Sequence, residues 1–180
     1  MHDWREFDQN PVSHSAAHHL VAIAELLDAY GYARVSDVAR ELGITRGSVS
    51  VTLKGLKGRG LVTEDERRFL GLSEDGERIA RGVMAKKQVL KALFVDLLGV
   101  PDEQADLDTC KIEHLVSDET ASRASRALLF LRSGAREAEA FTEALREFGR
   151  AGDPAGFPSE EVEELAREIA REGEEAEEER

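Results

Sequence analysis

Apolar residues recur at helical spacing along most of the 180 residues, and the departures from that period divide the chain. Residues 1–13 show no clear period and contain Pro11, so they read as an arm. From about Ser13, "HLVAIAELLDAYG" places Leu20, Ile23, Ala24 and Leu27 on one helical face, with Gly31 as the terminating glycine. Ser36 then reads as the N-cap of a short helix through Leu42, with Val38, Ala39 and Leu42 inward. Gly43 permits a tight turn, Ile44 is expected to be buried after it, and a second helix runs from Thr45 or Arg46 to Lys57. Its inward residues are Val49, Leu53 and Leu56. In "GLVTEDERRFLGLS" two short strands flank a charged turn from Glu64 to Arg68. Two short helices about a glycine turn, followed by a hairpin, make a winged helix-turn-helix.

Ser73 reads as the cap of a long helix, Glu74 to Leu98, stopped by Gly99 and Pro101. Its first half is polar and its second, "VLKALFVDLLG", is apolar, as expected of a linker that becomes a dimer interface. "DLDTCKIEHLV" predicts a further helix, Ser117 caps another with Ala124, Leu128 and Leu131 on one face, and "REAEAFTEALREF" predicts one more. Gly149 to Pro158 reads as a linker. Beyond it Val162, Leu165, Ala166 and Ile169 keep helical spacing before "EGEEAEEER", which is expected to be disordered. The fold class is therefore mainly α: an arm (1–13), a winged helix-turn-helix (14–73), an all-helical dimerisation domain (74–148), and a linker with an acidic tail (149–180).

The net charge of −13 argues against nucleic acid as a partner, but its distribution changes that. Residues 159–180 hold eleven Glu against three Arg, whereas residues 36–72 hold seven Arg/Lys against five Asp/Glu. The mildly basic segment is the one that carries the helix-turn-helix, which points to DNA. No apolar run approaches the ~20 residues that span a bilayer, and "MHDWREFDQN" lacks the apolar stretch of a secretory signal. A cytoplasmic location without membrane partners is expected. A single cysteine excludes an intramolecular disulfide. No general base or phosphate loop stands out, so an enzyme is not expected.

The remaining chemistry lies in "DTCKIEH". On a helix, Cys110, Glu113 and His114 stand over one patch of surface, and thiolate, carboxylate and imidazole all ligate first-row metals. The same three residues also suit an ordinary helix, with a core thiol and a solvated Glu-His pair.

Together with "YARVSDVARELGITRGSVSVTLKGLKGRGLV", "LSEDG", "LLGV" and "DTCKIEHLVSDE", the chain from about Ala17 to Val116 resembles the DtxR-like family of metal-dependent transcriptional repressors. The resemblance implies a homodimer whose winged helices bind a palindromic double-stranded operator when Fe(II) or Mn(II) ties the first helix to the dimerisation domain. It implies Cys110, Glu113 and His114 as ligands, with His18 at the position of the fourth, while His14 and His19 are neighbours that could contribute instead. A second family site falls on Lys87, Lys91 and Asp106, so one metal per subunit is expected, with a lysine ammonium replacing the missing charge. Thiolate and imidazole favour Fe(II), Co(II) or Zn(II) over Mn(II), and the resemblance favours iron. The acidic tail stands where longer members carry an SH3-like domain.

On the DNA side Thr45, Arg46 and Gly47 lie where base contacts and phosphate-binding amides are expected. Ser48 and Ser50 offer hydroxyls to phosphate, and Lys54, Lys57 and Arg59 offer charge. In the wing, Arg67 and Arg68 face the minor groove or the backbone. Val51 matches a position usually polar in relatives, where it either touches a thymine methyl or packs. The alternative function is a metal-independent winged-helix regulator that senses oxidants through Cys110.

Overall fold

Ser13 opens the first helix in the computed structural model, which describes residues 12–151 and 160–178. Most of the expected arm and of the expected linker therefore lie outside the described residues. Helix α1 (His14–Tyr30) begins where the Ser13 hydroxyl accepts from the Ala16 N–H, and ends where Gly31, at φ 74°, returns its N–H to the Leu27 carbonyl. It buries more than one face: Ala22 and Leu26 join Leu20, Ile23 and Ala24, because other helices pack on two sides of it.

Helix α2 (Val35–Glu41) starts one residue before Ser36 and has Arg34 at its N-cap without a side-chain bond, correcting the expected Ser36 cap. Gly43, at φ 64°, makes the turn. Ile44 is 41% exposed rather than buried. Its N–H bonds back to the Ala39 carbonyl, so the backbone is held under α2, while Val38, Ala39 and half-buried Leu42 already fill the inward space. Thr45 caps α3 (Arg46–Gly58) through the Ser48 N–H, and Val49, Leu53 and Leu56 face inward as the period predicts.

Strands β1 (Val62–Glu64) and β2 (Leu70–Leu72) pair antiparallel with Val62 opposite Leu72, and Ala33 bridges to Leu70 on the other side. The wing turn is organised by Asp65, whose Oδ1 accepts from the N–H groups of Arg67 and Phe69 at 2.9 and 2.8 Å. Arg68 takes φ 66° there, the left-handed conformation a tight hairpin demands.

Ser73 caps α4 (Glu74–Asp96). Gly76 in its first turn is a true close approach, since a Cβ there would collide with the Leu61 carbonyl. Helix α4 packs on α1, on α5 (Asp102–Ile112) and on α6 (Asp118–Leu131). Helix α5 begins four residues before the expected start, with Pro101 ahead of it and Asp102 and Glu103 favouring the positive end of its dipole. It also ends earlier, at Ile112, so Glu113 is its C-cap and His114 lies beyond it. Helix α7 (Arg136–Ala151) follows.

The chain divides into two compact units after Glu139. The second contains α8 (Glu160–Glu178), which runs through the acidic stretch expected to be disordered. Glu, Ala and Arg are strong helix formers, and their propensity carries the helix past Gly173. Among the described residues, no helix is long and apolar enough to cross a membrane.

Candidate metal centre

Two elements far apart in sequence bring the candidate ligands together. On α1, His14 and His18 are one turn apart and stand over one patch. On the last turn of α5, Cys110 faces them. Glu113 keeps helical dihedrals as the C-cap, its N–H bonded to the Thr109 carbonyl at 2.8 Å; among the described residues the ligand atoms that gather with Cys110 are those of His14 and His18, not those of Glu113 and His114. Thr109 is fully buried and donates to the Ala105 carbonyl, which fixes this turn against the body.

Cys110 Sγ lies 3.4 Å from His18 Nε2. Glu113 Oε1 lies 3.9 Å from the same nitrogen, and His14 Nδ1 lies 3.3 Å from His114 Nδ1. Donor atoms of His14, His18 and Cys110 all fall within 4.8 Å of one another. Atoms bound to one transition-metal ion at about 2.0–2.3 Å lie roughly 3–4 Å apart, so a small inward movement would bring the set to the spacing of a ligand shell. His14 enters this cluster and His19 does not. The His19 ring is buried with Nδ1 donating to the Ser15 carbonyl at 2.6 Å, which makes it a core residue. His14 had been one of several neighbours, and the signal that singles it out is its i, i+4 relation to His18.

The electrostatics fit a cation. Glu113 is 3% exposed, and its Oε2 is buried without a hydrogen-bond partner. A buried carboxylate oxygen left unpaired is costly, and an ion in the cluster would satisfy it. Burial pushes the Glu113 carboxyl up to about 7; Asp106 adds to this and Lys87 opposes it. His18 is held below the usual imidazole range by burial first, then by His14, Lys87, His114 and His19. His114 is lowered by burial and by His14. Thiolate, carboxylate and three imidazoles suit a divalent transition metal.

Beside this cluster, the expected replacement of a second site has a definite form. Lys87 Nζ lies 3.7 Å from Asp106, and Lys91 Nζ lies 2.9 Å from Asp102 and 3.3 Å from Asp106. The α4 ammonium groups thus meet α5 carboxylates where cation ligands would have to stand.

On the DNA side, Thr45, Arg46, Gly47, Ser48 and Ser50 are exposed at the start of α3, with Lys54 and Arg59 further along. Several of their polar groups are engaged within the protein. Thr45 and Ser48 share a hydroxyl contact of 3.0 Å, Ser50 Oγ donates to the Arg46 carbonyl, and Lys57 and Arg68 both pair with Glu64. Arg67 is exposed in the wing. Val51 does not pack: it is 76% exposed.

Comparison with known proteins agrees with both halves of this description. Residues 73–142 match the family described as iron dependent repressor, metal binding and dimerisation domain, and residues 12–68 match the MarR family. The iron-dependent repressor IdeR of Mycobacterium tuberculosis is 31% identical over 91 residues, covering 51% of this chain and 40% of IdeR. The HTH-type transcriptional regulator MntR of Lysinibacillus sphaericus is 31% identical over 99 residues, covering 55% of this chain and 70% of MntR. Among solved structures, T. acidophilum IdeR superposes with a TM-score of 0.54 at 28% identity, covering 62% of this chain and 53% of that one. The chain thus spans well under two thirds of the IdeR relatives it matches. A winged helix-turn-helix joined to a metal-binding and dimerisation domain, with MntR covered over most of its length, identifies the chain as a member of the IdeR/MntR/diphtheria toxin repressor family of metal-dependent, DNA-binding transcriptional repressors.

Proposed function

We propose that this protein is an Fe(II)-responsive repressor of metal-homeostasis genes, acting in the cytoplasm as a homodimer on a palindromic operator. His18, Cys110, Glu113 and His114 hold one ion per chain, and His14 joins them. The observation that carries the reading is the approach of Cys110 Sγ to His18 Nε2 at 3.4 Å, across 92 residues of sequence. Bound there, a divalent ion supplies the positive charge that lets a thiolate and a carboxylate persist beside three imidazoles.

The rest is done by the chain. His14 and His18 project from α1, which packs against the helix-turn-helix, while Cys110 is on the last turn of α5, Glu113 caps it and His114 follows. Tying the two sets together restrains α1, and with it the recognition helix α3. A dimer reading two half-sites needs its recognition helices about 34 Å apart, one turn of DNA, so restraint favours the bound geometry. Leu98, Leu129 and Phe130 remain exposed at 61%, 72% and 47%, and a second copy is the proposed cover. The Lys87–Asp106 and Lys91–Asp102 pairs support one ion per chain, because each carboxylate already faces an ammonium.

Iron is favoured by the thiolate and the imidazoles, with Co(II) and Zn(II) next and Mn(II), which prefers oxygen donors, last. Sensing of oxidants through Cys110 alone would give no role to His14, His114 or the unpaired Glu113 oxygen. The test is duplex binding from a randomised library with chelator and with each of Fe(II), Co(II), Zn(II) and Mn(II), together with the metal content of the complex. Retention of DNA only with metal, at one ion per chain, is expected. Binding undiminished by chelator, or two ions per chain, would refute the proposal.

A further inference from the structure

The outward face of α3 has an unusual composition for a helix interior. Val51 lies roughly opposite the buried stripe of Val49, Leu53 and Leu56, and at 76% it is the most exposed of the large apolar side chains among the described residues. Residues three and four positions away are its neighbours on the helix surface. The two at four are Gly47 and Gly55, which carry no side chain. The two at three are Ser48, whose hydroxyl is engaged with Thr45 at 3.0 Å, and Lys54, whose long stem can swing away. Val51 is therefore a lone apolar knob on a bare stretch of backbone.

Nothing inside the protein asks for those glycines. Both lie in α3 at ordinary negative φ. A Cβ at Gly55 would meet no atom within 4 Å, and one at Gly47 would meet only Thr45 Oγ1, at 3.7 Å. Glycine in a helix interior is unfavourable relative to alanine. Gly55 is such a position and Gly47 lies in the first turn; both are without steric cause and stand symmetrically about one exposed valine, which fits a helix whose backbone comes close to an external surface.

We propose that Val51 is the specificity-determining residue of the recognition helix, and that Gly47 and Gly55 let α3 settle deep enough in the major groove for its methyls to meet the 5-methyl of a thymine. The inference rests on the DNA-binding reading above. The major groove offers this apolar feature only at thymine. The nearby hydroxyls do not compete for the role, since Ser50 Oγ is bonded to the Arg46 carbonyl at 2.8 Å and Ser48 Oγ to Thr45. Readout at the centre of the helix is then by shape and methyl contact, while Arg46 and Lys54 supply charge.

The experiment starts from duplexes selected out of a randomised library with the Co(II)-loaded protein. Each half-site thymine is then replaced by uracil, which removes the methyl and nothing else. One position should lose about fourfold in affinity per half-site, what burying one methyl is worth. The Val51→Ala protein should bind the thymine and uracil duplexes equally. Gly55→Ala should raise the unfolding midpoint yet weaken binding by about tenfold, because an added methyl overfills a close contact. Equal affinity for thymine and uracil at every position would overturn the proposal. So would a uracil effect that persists in Val51→Ala, or a Gly55→Ala protein that binds as tightly as the wild type. Failure to enrich any duplex would remove the DNA-binding reading first, and this inference with it.

Discussion

Glu113, a proposed ligand, is where metal and proton should compete. Its carboxyl titrates near 7 in the fold because it is buried, well above the ordinary carboxyl range. Between those two values the metal-free fold holds a proton that the unfolded chain has lost, so the apo protein loses stability as pH rises through that window. A metal must expel the same proton, so Glu113 alone should make affinity rise over the same window by up to about tenfold per pH unit. Calorimetric titration with Co(II) from pH 6 to 8 checks this; a flat profile would show that Glu113 is not a ligand. Glu113→Gln should make the profile over this window less steep and weaken binding. The lysine pairs make a second residue-scale prediction: Lys87→Met should leave the stoichiometry at one ion, because Lys91 still faces Asp106. Metal analysis of the purified variant reads this directly. Cys110, Glu113 and His114 stand out in the sequence because their spacing is local, and of the three Cys110 joins the set of gathered ligand atoms. His14 differs from His19 in the sequence by its i, i+4 relation to His18, and burial shows that His19 turns into the core.

Among the elements, the entry to α4 sets the junction between the wing and the long helix. Ser73 Oγ accepts from the Gly76 N–H, and the Ser73 N–H bonds to the Leu61 carbonyl, so that carbonyl lies directly over the first turn. Gly76→Ala should cost about 1–3 kcal/mol, in the range of overpacked cores, measured by urea denaturation of the apo protein. A variant as stable as the wild type would mean that the junction relaxes freely. Element types were legible from the chain because amphipathic periods and caps are local signals: Ser13, Thr45, Ser73 and Ser117 all cap where a helix begins. What was not legible depends on neighbours. Ile44 is apolar and follows a turn, yet Val38 and Ala39 fill the space it would need. The early start of α5 lay in Asp102 and Glu103, polar residues whose helical signal is electrostatic rather than periodic. The acidic end of α8 reads as disordered by charge and as helical by propensity, and propensity prevails.

For the whole molecule, two helical surfaces and one cluster define the switch. Exposed Leu129 and Phe130 on α6 are the proposed dimer contact, so Phe130→Glu should yield monomers by light scattering and lose operator binding while keeping metal. A dimer of unchanged affinity would move the interface elsewhere. The central claim is that the α1–α5 cluster couples metal to DNA, and coupling between two ligands is reciprocal. The most direct measurement is therefore the Co(II) affinity of the protein with and without a selected operator duplex. The duplex should tighten Co(II) by the same factor by which Co(II) tightens the duplex, about 5–150-fold, and His18→Ala should remove both effects. Equal Co(II) affinity with and without DNA would contradict the claim.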